Sequence, residues 1–243
     1  MTLTPARDAD PATPRFASQR LAALDEPVRR YFTHAIGQGA PLTAGVRLTM
    51  HGRIKVGAWL PFTAEQRCDG RSFTWRERIG WGPVTVLTVT DRFADGTGST
   101  QGRLLARVNL FHISDQDTAR SAAGRTALES VVFAPATVLP ERGVTWHAES
   151  TEVIVAEREL FPERPQAWVH IDEHGAVRSV WAQRWGPTGR HAFGYRLCGG
   201  VVHAQRRFGD VVVPSRITVG WRIGTDQFTP FFRAEIEHLT PVA

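Results

Sequence analysis

Arg125 and Glu129 stand four residues apart within a stretch, 118–133, that reads as a helix, so one turn separates a guanidinium from a carboxylate. On a solvated face this spacing is a helix-stabilising ion pair worth roughly a few tenths of a kcal/mol, here in the weaker Arg-to-Glu order. At the mouth of a cavity the same pair holds a carboxylate ready as acid, base or polar anchor, oriented by the guanidinium. Gly124, Ala127, Leu128, Val131 and Val132 make the apolar face beside it, and Ser121 lies one turn earlier. Arg120 falls nearer that face and therefore requires a buried carboxylate or a ligand anion.

Aromatic side chains supply the second chemical hint. Eight tryptophans and thirteen phenylalanines are a heavy load for 243 residues. A buried indole must place its N–H on an acceptor, so many indoles suit a cavity wall, where one edge meets ligand or water. Ordinary core filling is the competing explanation for any one of them. On the cavity reading, Trp75, Trp81, Trp146, Trp181, Trp185, Tyr195 and Trp221 line the ligand, with Arg120 and Arg184 beside them. Arg184 precedes Trp185 on a tryptophan-rich strand, where it can stack on an indole, clamp a carboxylate, or form a strand-face ion pair.

Other candidate motifs fail on spacing. His170 and His174 flank Asp172-Glu173, which with Gly175 reads as a hairpin turn rather than a zinc-binding helix. Gly96-Thr97-Gly98 with Gly102 departs from a dinucleotide-binding loop by one position and leads into a strand. Gly98 to Gly102 misplaces its serine for a nucleophile elbow. His147 alternates with Val144, Trp146 and Ala148 and so points away from their face. Cys68 and Cys198 are too few and too far apart for a disulfide framework or zinc site. Neither a metal nor a cofactor is expected.

The elements that must position these residues are mostly strands. From 46 to 56, Val46, Leu48, Met50, Ile54 and Val56 alternate with Arg47, Thr49, His51, Arg53 and Lys55, a period of two that only a half-buried strand satisfies. The pattern returns near 61–68, 73–81, 84–91 and 103–111. After the helix come strands near 144–156, 167–171, 177–185, 193–197, 201–208, 211–221 and 228–236. A first helix is expected over 26–36, with Asp25 as cap, Pro27 in its first turn and Gly37 as stop. The expected fold is mainly β (α+β): one large curved antiparallel sheet, or an incomplete β-barrel, of about 10–11 strands with two covering helices. It forms a single domain, 18–243, after a disordered lead, 1–17, rich in Ala, Pro, Asp and Thr.

Composition bounds the partners. Net charge is +5 and the pI about 10.1, but the arginines recur singly on strands instead of forming a dense basic groove, so nucleic acid is not expected. No apolar run is long enough for a helix to span a bilayer, so stable membrane insertion is not expected either. The first residues lack the charged-then-apolar order of a signal peptide, which points to the cytoplasm. Composition does not speak to oligomeric state.

The run Arg120-Ser-Ala-Ala-Gly-Arg-Thr-Ala-Leu-Glu129 is followed by Pro135, Leu139-Pro140 and Trp146. With it go Val28-Arg-Arg-Tyr31, Trp59-x-x-Phe62-x-Ala64-x-Gln66, Asp91-x-Phe93-x-x-Gly96-x-Gly98 and Pro214-Ser-Arg-Ile-Thr-Val-Gly-Trp221. Together they resemble a bacterial family labelled only as a domain of unknown function, over about residues 28–239. The strand layout also looks like the half-barrel of lipoprotein carriers of the lipoprotein localisation factor type. That resemblance implies a sheet cupped around acyl chains and carries over no residue roles. The expectation for function is a hydrophobic small molecule, such as a lipid, polyketide or terpenoid, held in an aromatic-lined cavity. The alternative is an enzyme, a cofactor-independent cyclase, isomerase or hydrolase, using Glu129 as acid or base oriented by Arg125.

Overall fold

The computed structural model describes residues 13–189 and 192–242. A ten-residue helix, α1 (Glu26–Ala35), precedes six strands: β1 (Gly45–Val56), β2 (Ala58–Cys68), β3 (Phe73–Trp81), β4 (Val84–Ala94), β5 (Thr97–Leu104) and β6 (Val108–Ile113). Helix α2 (Gln116–Phe133) follows, and then β7 (Thr145–Ala148), β8 (Val153–Glu157), β9 (Gln166–Ile171), β10 (Val177–Pro187), β11 (Phe193–Phe208), β12 (Val211–Trp221) and β13 (Thr229–Val242).

All thirteen strands belong to one antiparallel sheet, in the order β6-β5-β4-β3-β2-β1-β13-β12-β11-β10-β9-β8-β7. Each half is a meander in which every strand pairs with the next, and β1 and β13 join the halves with Gly45 opposite Val242 and Ile54 opposite Phe232. The two edges, β6 and β7, do not meet: the sheet is curved and unclosed. Helix α2 carries the chain from one edge to the other, so it must cross the concave face. Its residues are buried almost all round, as for a helix lodged inside a structure rather than on it. Its buried hydroxyls are satisfied internally, Thr126 donating to the Ala122 carbonyl at 2.8 Å and Ser130 to that of Thr126 at 2.5 Å.

The thirteen strands exceed the expected 10–11, and they differ by two splits and one merger from the twelve spans marked by alternation. The stretch 103–111 splits into the end of β5 and β6, and 144–156 into β7 and β8, whereas 193–208 is one long strand. Both helices form within two residues of their expected bounds. Asp115 caps α2 by accepting from the Thr118 N–H at 2.7 Å. Asp25 does not cap α1 with its side chain; its Oδ2 accepts from the Ala148 N–H at 2.7 Å, fastening α1 to β7. Of the lead, residues 1–12 lie outside the described residues, while Phe16 is buried and exchanges backbone hydrogen bonds with Gly39 and Ala40.

Two close approaches set the position of α2. A Cβ on Gly98 of β5 would stand 2.7 Å from the Ala119 Cα, so only glycine lets the helix lie against the strand there. Gly124 does the same on the helix side, where a Cβ would stand 3.0 Å from the Arg184 Cγ of β10. The helix is wedged between the two halves and leaves space beneath its second half.

Candidate ligand-binding site

That space is a cavity of about 420 Å³ between α2 and the concave face, within the usual range for small-molecule sites. Arg125, Leu128, Glu129, Val132 and Phe133 of α2 form its roof, and residues of β1 to β6 and β10 to β13 form its walls. Register places the inward residues of β2, β3 and β4 in rows. Phe62, Ile79 and Leu87 stand opposite one another on β2, β3 and β4, nearest the hairpin tips. Gln66, Trp75 and Asp91 form another row, four residues further in, or about 13 Å along the strands. Glu77 lies between the two rows, beside Ala64 and Val89.

The inner rows carry the polar chemistry. Arg125 donates from Nε to Glu129 Oε1 at 2.7 Å and from Nη1 to Asp91 Oδ2 at 2.9 Å. Its guanidinium sits 4.6 Å from the Phe73 ring and 4.9 Å from the Trp75 ring, a cation–π seat. Burial alone would depress the Arg125 pKa, but Glu129 and Asp91 outweigh it and hold the pKa above the ordinary arginine value. Gln66 Nε2 donates to Glu129 Oε2 at 2.5 Å, so both carboxylate oxygens are engaged. Three buried atoms of the cavity lining have no protein partner, Gln66 Oε1, Glu77 Oε1 and Asp91 Oδ1, and all three can accept a hydrogen bond. Burial pushes Glu77 up to about 7, against the pull of Arg125 and with a contribution from Asp91.

The residues expected to bind ligand are divided among several places. Arg125, Glu129, Trp75 and Arg184 line the cavity. Arg184 also donates to the carbonyl and hydroxyl of Ser121, at 3.0 and 3.2 Å, tying β10 to α2. Arg120, Trp185 and Tyr195 gather instead in a depression of about 370 Å³ outside it. The carboxylate that Arg120 requires is Glu163, which also accepts from Tyr195 at 2.6 Å. The Arg120 guanidinium lies 3.4 Å over the Trp185 ring, whose Nε1 donates to Asp117 at 2.7 Å. These groups satisfy one another and latch the start of α2 to the sheet.

The remaining four of these tryptophans lie off the cavity wall. Trp146 packs against Tyr31 and Phe32 and donates to the Val138 carbonyl at 2.8 Å, which is core filling with its N–H satisfied. Trp181 sits between the buried Val180 and Ala182, hence on the opposite face of β10. Trp221 is flanked by Phe231 and Arg196. Trp81 is 58 % exposed, at the tip of the β3–β4 hairpin.

Sequence reading missed Gln66, Glu77 and Asp91. Their signal was in the alternation: each is a polar residue in the apolar phase, between Ala64 and Cys68, Trp75 and Ile79, and Val89 and Phe93. Among the described residues no group of three or more His, Cys, Asp or Glu is arranged to hold a metal ion. Cys198 lines the cavity as a buried thiol whose pKa burial pushes upward.

A family model matches residues 22–240, nearly the whole of the described chain. The protein belongs to DUF6920, a family of unknown function. No curated protein matches the sequence. Among solved structures, DUF6920 in this chain is similar in strand layout to a LolA superfamily protein from Nitrosomonas europaea, with 8% identity, a TM-score of 0.48, and 89% of this chain and 92% of that one covered. A DUF1329 family protein from Desulfovibrio piger gives 8% identity and a TM-score of 0.45, over 82% and 86% of the two chains. A domain from Vibrio parahaemolyticus named for outer membrane lipoprotein sorting gives 11% identity and a TM-score of 0.45, over 82% and 85%.

Proposed function

We propose that this DUF6920 protein binds an amphiphile, its tail among the apolar rows toward the hairpin tips and its head at the Arg125 cluster. A single observation carries the reading: three buried oxygens without protein partners line a largely apolar cavity of ligand size. Buried polar groups need hydrogen-bond partners, and an acceptor needs a donor. The head is therefore a donor, an ammonium first and a hydroxyl or amide next. Arg125, already committed to Glu129 and Asp91, is a poor clamp for a ligand carboxylate, and Asp91 and Glu129 would repel one.

The test is displacement of the neutral fluorescent probe N-phenyl-1-naphthylamine from the purified chain by dodecylamine, dodecanol and dodecanoate. Dodecylamine should displace best and dodecanoate at least about tenfold worse. Equal competition by dodecanoate, or displacement by none of the three, would sink the reading.

One observation favours a second, catalytic reading of the same cavity. Glu77 is a buried carboxyl poised near neutral pH with an unengaged oxygen, which suits proton transfer, whereas both Glu129 oxygens are occupied. On this reading Glu77, not Glu129, is the acid or base. Glu77→Gln would abolish turnover of a bound substrate and leave probe affinity near wild type.

A further inference from the structure

The cavity opens where the protein is least like an ordinary soluble surface. Because the sheet is an antiparallel meander, the β1–β2, β3–β4 and β5–β6 turns lie side by side at one end of it, spaced about 10 Å apart. Each displays apolar side chains to solvent: Val56 is 51 % exposed, Trp81 58 %, Val84 57 %, Leu105 59 % and Val108 58 %. Val56 and the exposed Phe111 also line the cavity, so these tips rim its mouth.

Charge at the tips has one sign. Residues 52–60, 78–88 and 102–112 contain Arg53, Lys55, Arg78, Arg103 and Arg107 and not one Asp or Glu. The neighbouring β12–β13 turn carries a single acid, Asp226, near Arg222. Backbone conformation at the β5–β6 tip is also informative. Leu105 and Ala106 both adopt positive φ, 49° and 59°, in a turn that Asn-Gly would make with far less strain. A leucine held there in a disfavoured conformation, with its side chain in water, needs an external reason.

We infer that these three hairpin tips dock on an anionic lipid surface, with the cavity mouth facing the bilayer. The chemistry fits that occupant: apolar and tryptophan side chains enter the headgroup boundary while arginine and lysine pair with lipid phosphates. The inference goes beyond ligand binding, because docking does not require an occupied cavity.

Co-sedimentation of the full chain with phosphatidylcholine vesicles, with and without phosphatidylglycerol, tests it. Binding should require phosphatidylglycerol and fall as salt is raised. Arg103→Gln with Arg107→Gln should weaken it by about fivefold per arginine, and Trp81→Ser, Leu105→Ser and Val108→Ser together by about tenfold or more. These side chains are exposed, so both variants should melt as the wild type does. The probe-displacement assay run beside it reports on the cavity independently. Absence of vesicle binding overturns the inference, as does binding that ignores both variants. Concentration-dependent self-association lost in the serine variant, without vesicle binding, would assign the surface to a second copy instead.

Discussion

The Gln66 amide donates to Glu129 Oε2 at 2.5 Å, joining β2 to α2 across 63 positions of sequence. Since a carboxylate only accepts, it fixes the amide orientation and turns Gln66 Oε1 away, without a protein partner. Gln66→Leu should therefore destabilise the fold by about 1.5–3 kcal/mol, the range for a hydrogen bond to a charged group. Gln66→Glu should cost more, because it sets two carboxylates against each other. Urea unfolding of the two variants checks the order; Gln66→Glu at or above Gln66→Leu in stability would contradict it.

Among the described residues Arg125 is the only cation bridging Glu129 and Asp91, at 2.7 and 2.9 Å, and its side chain is 17 % exposed. Arg125→Met keeps most of the volume but strands two carboxylates in a largely apolar space, and should cost about 3–5 kcal/mol. Adding Asp91→Asn and Glu129→Gln to that variant should recover part of the loss, since the harm lies in unpaired charge rather than in missing atoms. A double-mutant cycle measured by denaturation should show strong non-additivity.

How far these relationships could be read beforehand follows from the range of each signal. Alternation such as Val46 to Val56 is local, and so are the Asp115 cap and the i, i+4 pair of Arg125 and Glu129. They yielded the curved sheet, both helices and half of the polar cluster. Asp91 and Gln66 lie 34 and 63 positions from their partners on α2, and no local period links such residues. What did mark them was a polar side chain in an apolar phase, a sign that a buried partner must exist. Tryptophan count was a poorer guide: Trp75 lines the cavity, whereas Trp146 and Trp185 found acceptors in Val138 and Asp117 and serve packing. Composition records that indoles are abundant but not which face of a strand receives them.

Glu77 makes stability depend on pH. Burial raises its pKa to about 7 from an unfolded value near 4.5, so the folded state holds a proton that the unfolded state has released. The contribution is fully present below pH 4.5 and is lost as pH rises through 7. Glu77→Gln mimics the protonated form and removes that loss. It should stabilise the protein by about 3 kcal/mol at pH 8 and by much less at pH 5. Melting temperatures of the two proteins across that range provide the check, and parallel curves would show that Glu77 does not titrate as described.

Two glycines on β5 separate a backbone clash from a side-chain one. A Cβ on Gly98 would meet the Ala119 Cα and the Thr118 carbonyl oxygen, each at 2.7 Å, whereas one on Gly102 would meet the Phe111 ring at 2.3 Å. Helix backbone cannot yield without moving all of α2, but Phe111 is 37 % exposed and can rotate away. Gly98→Ala should therefore cost about 1–3 kcal/mol and weaken probe binding, because displacing α2 displaces Arg125 and Glu129 with it. Gly102→Ala should cost less than Gly98→Ala and act at the mouth of the cavity, where Phe111 forms part of the wall. If Gly102→Ala proved the more damaging of the two, the seat of α2 on β5 would not be what positions the polar roof.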